Sequence, residues 1–359
     1  MLENGRLFYN QVLEMKIKAF KEQGKNLSRY GLQKMFKGKN IFSNLPASYK
    51  QALIYRVTNA FEHFLIGHNR FPRYKNEKRF RTIHLRQYGI DYRIEGRKVR
   101  LWRFLGSISM RGFRPLMGNP KEARIVKRAS GWYLQYTDEY EDCMSMKGDV
   151  KSAVGIDVGL KSFVFDSSGH RTNHPRYYVN AQKKLTKLQR SSLKKERGSY
   201  RFRKLSLRIA KLHEHIKNQR KDFLHKLSHY YVKNYDAIFV EAFSINELIE
   251  KNPLAKYITD ASWGRFLNFL EYKSAESAVV FRRIPAKYTS QKCSNCGEMV
   301  WKTLSQRMHL CPYCGYTADR DENSALNVLK AGLEQTFGEG FRKRMENLLS
   351  RESLPFRAE

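Results

Sequence analysis

Residues 151–170 read KSAVGIDVGLKSFVFDSSGH. The apolar run before Asp157 predicts a buried strand, and the run around Phe163 predicts a second strand, with a tight glycine turn between them. The last letters fall in the following turn. Asp157 therefore stands alone at the end of a buried strand. Gly155 and Gly159 flank it, and the missing side chains let a ligand or another backbone come close.

Two more carboxylates stand at comparable places far along the chain. YDAIFVEAF (235–243) predicts a second buried strand, with Glu241 at its end. CPYCGYTADRDENSALNVLK (311–330) predicts a helix over 321–332, with Asp321 at its start. Singly, each has a plain structural reading: a turn aspartate, a strand-end charge reaching solvent, and part of a helix start. The third reading can be sharpened. Asp319 and Glu322 have the spacing of a capping box, which makes Asp319 the N-cap and leaves Asp321 unneeded for capping. In the first turn the helix dipole favours an ionised Asp321. Carboxylates gathered together repel one another unless divalent cations bridge them. Oxygen ligands holding two Mg²⁺ ions roughly 4 Å apart are the basis of two-metal phosphoryl transfer.

The rest of the composition points to a polyanion. Lys and Arg total 68 against 34 Asp and Glu, a formal net charge of +34 over 359 residues. Nucleic acid is the first candidate, because phosphate contacts release counterions and offset the self-repulsion of such a chain. An anionic membrane surface is second, but no apolar run reaches about 18 residues and no signal pattern begins the chain. Hydrophobic residues make up 41%, enough for a real core. The excess concentrates in a helical stretch, 181–234, where Lys183–Lys233 holds 17 basic and three acidic residues. Ile209, Leu212, Ile216, Phe223, Leu227 and Tyr230 keep one face of it apolar, and Gly198 predicts a break between two helices. Lys183, Lys184, Lys187, Arg190, Arg201, Arg203, Lys204, Arg208, Lys211, Arg220 and Lys221 are the expected phosphate contacts. His213 and His215 lie in the same stretch as surface residues.

Four of the five cysteines form two pairs, Cys293-x-x-Cys296 and Cys311-x-x-Cys314, with fourteen residues between them. Each pair is followed by a glycine. The spacing suits one tetrahedral Zn²⁺, and four thiolates leave no open position, so the site is expected to be structural. Clustered cysteines rather than a spread framework suggest a reducing, cytoplasmic setting. Cys143 suggests no site.

Upstream, residues 1–70 read as helical. One helix carries Leu7, Phe8, Val12, Met15 and Phe20, and another runs between Pro46 and Gly67. From about 73 to 145, short alternating runs separated by Gly and Pro predict a small antiparallel sheet or barrel with one basic face. SWGRFLNFLEYKSAESA (262–278) predicts a helix in which Trp263 is a core residue, and VVFRRIPA predicts a strand leading to the cysteines.

At this point the sequence resembles the TnpB/OrfB family, the RNA-guided nucleases of insertion sequences and relatives of type V CRISPR effectors. GIDVGLKSF resembles the family's first RuvC-type motif and FVEAF its second. KYTSQKCSNCG followed by CPYCGYTADRDENSALNVL is similar to its zinc ribbon and third motif. LHEHIKNQRKDFLHKLS and SWGRFLNFLEYKSA resemble its connecting segments.

The resemblance implies that Asp157, Glu241 and Asp321 are catalytic ligands of two Mg²⁺ ions, and that the four cysteines hold Zn²⁺. The implied fold is a multidomain α+β and α/β chain. A RuvC (RNase H-like) nuclease domain carries an inserted zinc ribbon, and an N-terminal wedge-like β-barrel carries a helical recognition insert. The boundaries drawn are 1–70 for the helical part, 71–148 for the barrel, 149–290 and 317–335 for the nuclease domain, 291–316 for the ribbon and 336–359 for a tail. Guide RNA from the transposon end and double-stranded DNA beside a short motif are the implied partners of a monomer. The second motif has Ala242 and Phe243 where the family often has an acidic residue and Leu. The family also has a strand and connecting segment before its counterpart of LFYNQVLEMK, near which this chain begins, so a shortened start is expected. Two other functions stay open: an RNA-guided DNA binder or repressor without cleavage, and an RNA-independent nuclease or transposase.

Overall fold

The computed structural model describes residues 1–38, 41–102, 106–139, 150–243, 250, 253–285, 288–303 and 305–340. Cys143 and most of the 336–359 tail lie outside them. The chain divides into two compact units, Met1–Glu141 and Asp142–Glu359.

In the first unit, helices α1 (Leu2–Gln23), α2 (Arg29–Phe36) and α3 (Ala47–Leu65) precede strands β1 (Thr82–Leu85), β2 (Tyr92–Glu95), β3 (Lys98–Leu101), β4 (Ser107–Ser109), β5 (Asn119–Lys127) and β6 (Trp132–Glu139). The periodicity predicts α1 and α3. It does not reveal α2, whose eight residues are too few for a repeat and whose start rests on Ser28 accepting the Gly31 N–H at 3.1 Å. Among the described residues the strands form two three-stranded antiparallel sheets, β1-β5-β6 and β2-β3-β4, rather than one closed barrel. In the β2–β3 hairpin Tyr92, Ile94, Val99 and Leu101 are buried, while Arg93, Glu95, Lys98 and Arg100 face out. Helices and strands share one core, in which Phe8, Val12, Leu53 and Phe61 join Ile83, Leu85, Val99 and Ala123. The boundary drawn at residue 70 therefore passes through a common core.

The second unit is built on a five-stranded mixed sheet in the order β11-β10-β7-β8-β9. Its strands are β7 (Ala153–Val158), β8 (Ser162–Asp166), β9 (Arg171–Asn173), β10 (Ala237–Ala242) and β11 (Val280–Pro285). Strands β7, β10 and β11 run parallel, and β8 and β9 continue antiparallel from β7. The central strands are buried on both faces, which is why their sequences read as unbroken apolar runs. Val154, Ile156, Ile238 and Val240 turn to one face, beneath α5 (Tyr200–Asn234) and α7 (Trp263–Glu276). Ala153, Ala237 and Phe239 turn to the other, beneath Val328, Leu329 and Leu333 of α8 (Arg320–Phe337). Trp263 is buried in the first of these layers, as expected, and Phe243 packs edge-on against it at 5.9 Å.

Helix α4 (Tyr177–Leu193) pairs with α5, and Gly198, at φ 92°, lies in the break between them. Helix α6 (Ala255–Ala261) supplies Asp260, whose carboxylate accepts the Tyr178 backbone N–H and pairs with Arg220 at 2.5 Å. A short antiparallel pair, β12 (Met308–Leu310) and β13 (Thr317–Asp319), leads into α8.

Helix α8 approaches the sheet unusually closely. A β-carbon at Gly155 would fall 2.2 Å from the Ala325 carbonyl oxygen and 2.5 Å from the Leu329 nitrogen. The reciprocal contact sets Gly332 of the helix against the Phe239 ring, also at 2.2 Å for an added β-carbon. Neither backbone can yield to a side chain at Gly155. Gly155→Ala should therefore destabilise the unit by about 3 kcal/mol through overpacking and expose α8 to limited proteolysis. Gly340→Ala, with nothing within 4 Å, should leave the melting temperature unchanged.

Candidate active site and metal centre

The parallel pairing of β10 with β7 aligns Phe239 with Gly155 and Val240 with Ile156. The next residue on each strand is a carboxylate, Glu241 and Asp157. Two adjacent parallel strands thus end in acids on one edge of the sheet, the carboxyl-end edge where open α/β sheets bind ligands. The third acid arrives from the other side of the sequence. Docking of α8 on Gly155 sets the first turn of the helix at the same edge. An added β-carbon at Gly159 would lie 4.0 Å from Asp321 Oδ2. Asp157, Glu241 and Asp321 line one cleft of about 300 Å³.

The helix start follows the capping expectation. Asp319 is the N-cap, with an extended backbone, and its Oδ1 accepts the Asp321 backbone N–H at 2.9 Å. That bond leaves the Asp321 side chain available to the cleft, where it lies 3.7 Å from the Arg320 guanidinium. Lys302, Arg307 and Arg320 supply positive charge to the cleft wall.

The acids do not share one environment. Burial pushes the Asp157 carboxyl well above its usual range, and repulsion from Glu241 and then Asp321 pushes it further; the Arg320 charge and the Val158 backbone N–H offset only part of this. Burial also raises Glu241, against the opposing effect of a hydrogen bond from Thr289, whose hydroxyl donates to Glu241 Oε1 at 2.7 Å. The donor set, three carboxylates on one cleft, fits hard divalent ions such as Mg²⁺.

The four cysteine Sγ atoms lie within 4.8 Å of one another and are positioned to hold one metal ion. Among the described residues this is the group of three or more potential ligands gathered so tightly; the cleft carboxylates are spaced more openly. Cys293 and Cys311 are buried, whereas Cys296 and Cys314 are exposed. Left-handed Gly297 and Gly315 close the two knuckles, and their N–H groups donate to Cys293 O and Cys311 O, each at 3.0 Å. The Tyr316 backbone N–H, then the Asn295 side-chain amide, hold the Cys314 thiol down at about 6. The set is compatible with structural zinc.

Sequence reasoning missed the residues that tie these parts together. Asn323 accepts the Ser294 N–H at 2.9 Å and donates to Lys292 O at 2.8 Å. Asn327 donates to Thr289 O at 2.8 Å and Lys292 O at 2.7 Å. Both asparagines are buried, and they fasten the first knuckle and the segment before it onto α8. The available signal was two asparagines four apart among the apolar positions of a helix, where polar residues require partners.

Of the expected phosphate contacts, Lys183, Lys184, Lys187, Arg190, Arg201, Arg203, Lys204, Arg208, Lys211 and Lys221 are exposed on α4 and α5. Lys183, Lys187 and Arg190 line a groove on α4 together with Lys194. Arg220 is the exception. Its side chain is 17% exposed and its charge is committed to buried Asp260, so it fastens α5 to α6 rather than facing a phosphate.

Comparison with known proteins agrees with this organisation. Residues 136–252 match a family model described as "Probable transposase" (OrfB of the IS605 type), and residues 263–328 match "Cas12f1-like, TNB domain". A relative from Streptomyces pristinaespiralis, named "Putative RNA-guided DNA endonuclease", is 29% identical over 95% of this chain and 87% of its own. InsQ of Escherichia coli (strain K12), given the same description, is 28% identical over 80% of this chain and 75% of its own. A solved structure titled "Cryo-EM structure of the Cas12f1-sgRNA-target DNA complex" matches 91% of this chain and 80% of that one, with a TM-score of 0.57 at 14% identity. The chain is a relative of the TnpB/OrfB proteins, and its fold is Cas12f1-like. No helix among the described residues is long and apolar enough to cross a membrane.

The raised Asp157 carboxyl has a consequence for stability. A carboxyl raised in the folded state favours folding at low pH, and that contribution is lost as pH rises through its folded value. In EDTA at pH 8, Asp157→Asn should therefore melt a few degrees above wild type, and the gap should close toward pH 4. Added Mg²⁺ should stabilise wild type more than the variant. Thermal melts over this pH range check both outcomes.

Proposed function

We propose that this chain is an RNA-guided DNA endonuclease of a transposable element, cutting phosphodiesters in the cleft formed by Asp157, Glu241 and Asp321. The observation that carries the reading is the convergence of these three carboxylates, from two parallel strand ends and a helix start, on one cleft with a cationic wall. The mixed sheet beneath them supports a RuvC (RNase H-like) nuclease domain. Two Mg²⁺ ions held by the three carboxylates would supply an activated water and charge neutralisation at the leaving oxygen.

The chain's own groups account for the rest. Lys302, Arg307 and Arg320 draw a phosphate to the cleft and offset its charge. Asp157, held up by burial first and then by the two neighbouring carboxylates, is the acid whose ionised form a cation in the cleft would favour most. The exposed cations of α4 and α5 grip nucleic-acid backbone without reading sequence. Base pairing to a guide RNA from the transposon end supplies the target, and the protein recognises duplex shape and a short adjacent motif. The names of the relatives support the guide-dependent form over an RNA-independent nuclease. A binder without cleavage would have no use for three acids gathered on one cleft.

Asp157→Ala should abolish Mg²⁺-dependent cleavage of target DNA while leaving the amount of co-purified RNA unchanged. Cleavage persisting in that variant would overturn the assignment. The four-cysteine set is read as a zinc site: wild type should carry one Zn²⁺ per chain by elemental analysis. Cys311→Ser should lose it, become protease-sensitive around 295–316, and cut DNA at least about tenfold more slowly, because Lys302 and Arg307 on the cleft wall lose their brace.

A further inference from the structure

Thr289 belongs to neither the carboxylate set nor the cysteine set, yet it touches both parts of the molecule. It is buried, at 8% exposure, and its hydroxyl donates to Glu241 Oε1 at 2.7 Å. A threonine has one O–H donor, and here it goes to a residue on β10, 48 positions earlier. The contact restrains the Glu241 carboxylate at Oε1.

The hydroxyl is itself held by backbone. Asn327 donates from one amide nitrogen to Thr289 O at 2.8 Å and Lys292 O at 2.7 Å, pinning both ends of the 289–292 turn to α8. Within the turn, the Gln291 and Lys292 N–H groups donate to Tyr288 O at 3.0 and 2.9 Å. Tyr288 takes a left-handed backbone, φ 67°, a conformation that a bulky residue keeps only where its surroundings dictate it. The turn is therefore set by α8 and not by its own preferences. The helix that brings Asp321 to the cleft also sets, through Asn327 and Thr289, the orientation of Glu241.

We infer that Thr289, held by Asn327, is a positioning residue that orients the Glu241 carboxylate for divalent-cation binding. Hydroxyl partners of ligating carboxylates act in this way, and removing one typically costs ten- to a hundredfold in metal affinity or activity. The inference rests on the cleft being the metal-binding nuclease site.

Thr289→Val keeps the shape and removes the donor; Thr289→Ser keeps the donor. The test uses the zinc-loaded full-length chain, with Mn²⁺ as an EPR-visible probe, counting only the binding that Asp157→Ala abolishes. Thr289→Val should weaken that binding roughly tenfold and raise the Mg²⁺ concentration needed for half-maximal cleavage by a similar factor. Thr289→Ser keeps a hydroxyl within reach of Glu241 and should stay within about twofold of wild type. Zinc content and melting temperature should match wild type in both variants. Wild-type Mn²⁺ affinity in Thr289→Val, or failure of Thr289→Ser to restore it, would overturn the inference while leaving the nuclease reading intact. Lost zinc or a lowered melting temperature accompanying the lost affinity would make Thr289 a structural residue and also overturn it. If wild type itself shows no Mn²⁺ binding that depends on Asp157, the reading of the cleft fails and this inference falls with it.

Discussion

The backbone-to-backbone approach of α8 to β7 is the contact on which the second unit depends. Gly155 has no side chain because the helix occupies the space that one would need, and Gly332 has none because Phe239 occupies its space. The two glycines make a lock with a fixed depth and register. Once the helix lies there, its first turn can only be at the carboxyl edge of β7 and β10, beside Asp157 and Glu241. Its buried face presents Asn323 and Asn327 to the segment before and within the first cysteine knuckle. A packing contact between apolar elements thereby sets the placement of groups that are all polar.

This explains how a chain of charge +34 keeps a concentrated negative site. The acids are not scattered among the basic surface residues, where they would pair off. They sit on a sheet edge backed by buried apolar strands, and the cations that line the cleft with them come from the β7–β8 turn (Lys161), the ribbon (Lys302, Arg307) and the helix start (Arg320). Arg320 pairs loosely with Asp321 and offsets part of the upward pressure on Asp157, which burial and the other two carboxylates still hold up. The residual repulsion is what a divalent ion would remove. Elsewhere the buried acids are matched by donors: Asp260 has a guanidinium and a backbone N–H, Asp91 accepts from two backbone N–H groups and the Trp102 indole, and Asp166 accepts from Ser168, His170 and Tyr231.

The legible part of this architecture was the part carried by local pattern. Unbroken apolar runs ending in Asp157 and Glu241 marked buried strands, because a strand covered on both faces has no polar positions to alternate. The spacing of the cysteines was readable because a tetrahedral ion constrains it, and Asp319 was readable as a cap because capping is local. Asn323, Asn327 and Thr289 were not. Each is an uncharged polar residue whose partner lies 29 to 48 positions away in the chain, and only the docking of α8 decides which partner it meets. Arg220 was misplaced for the same reason. Its sequence neighbourhood is a basic surface, and the buried acid that claims it lies on another helix. The two sheets of the first unit likewise depend on pairings, such as β1 with β5, that skip the intervening hairpin.

The cysteine ribbon follows from the same constraint. A segment that carries Thr289 at one end and Lys302 and Arg307 further along has little apolar material of its own; Trp301, Met308, Leu310 and Tyr313 all face outward. It cannot fold around a core, so its shape must come from a metal or from its neighbours, and it draws on both. The thiols fix the two knuckles relative to each other, while Asn323 and Asn327 fix the first knuckle and the turn before it relative to α8. Neither attachment suffices alone: knuckles without the asparagines would leave the cationic wall adrift from the carboxylates, and asparagines without the knuckles would hold only Thr289–Ser294. A metal on the cysteines would therefore need no chemistry of its own to matter for chemistry. It would make the ribbon rigid enough that the position of one helix sets all three acids and the charges opposite them.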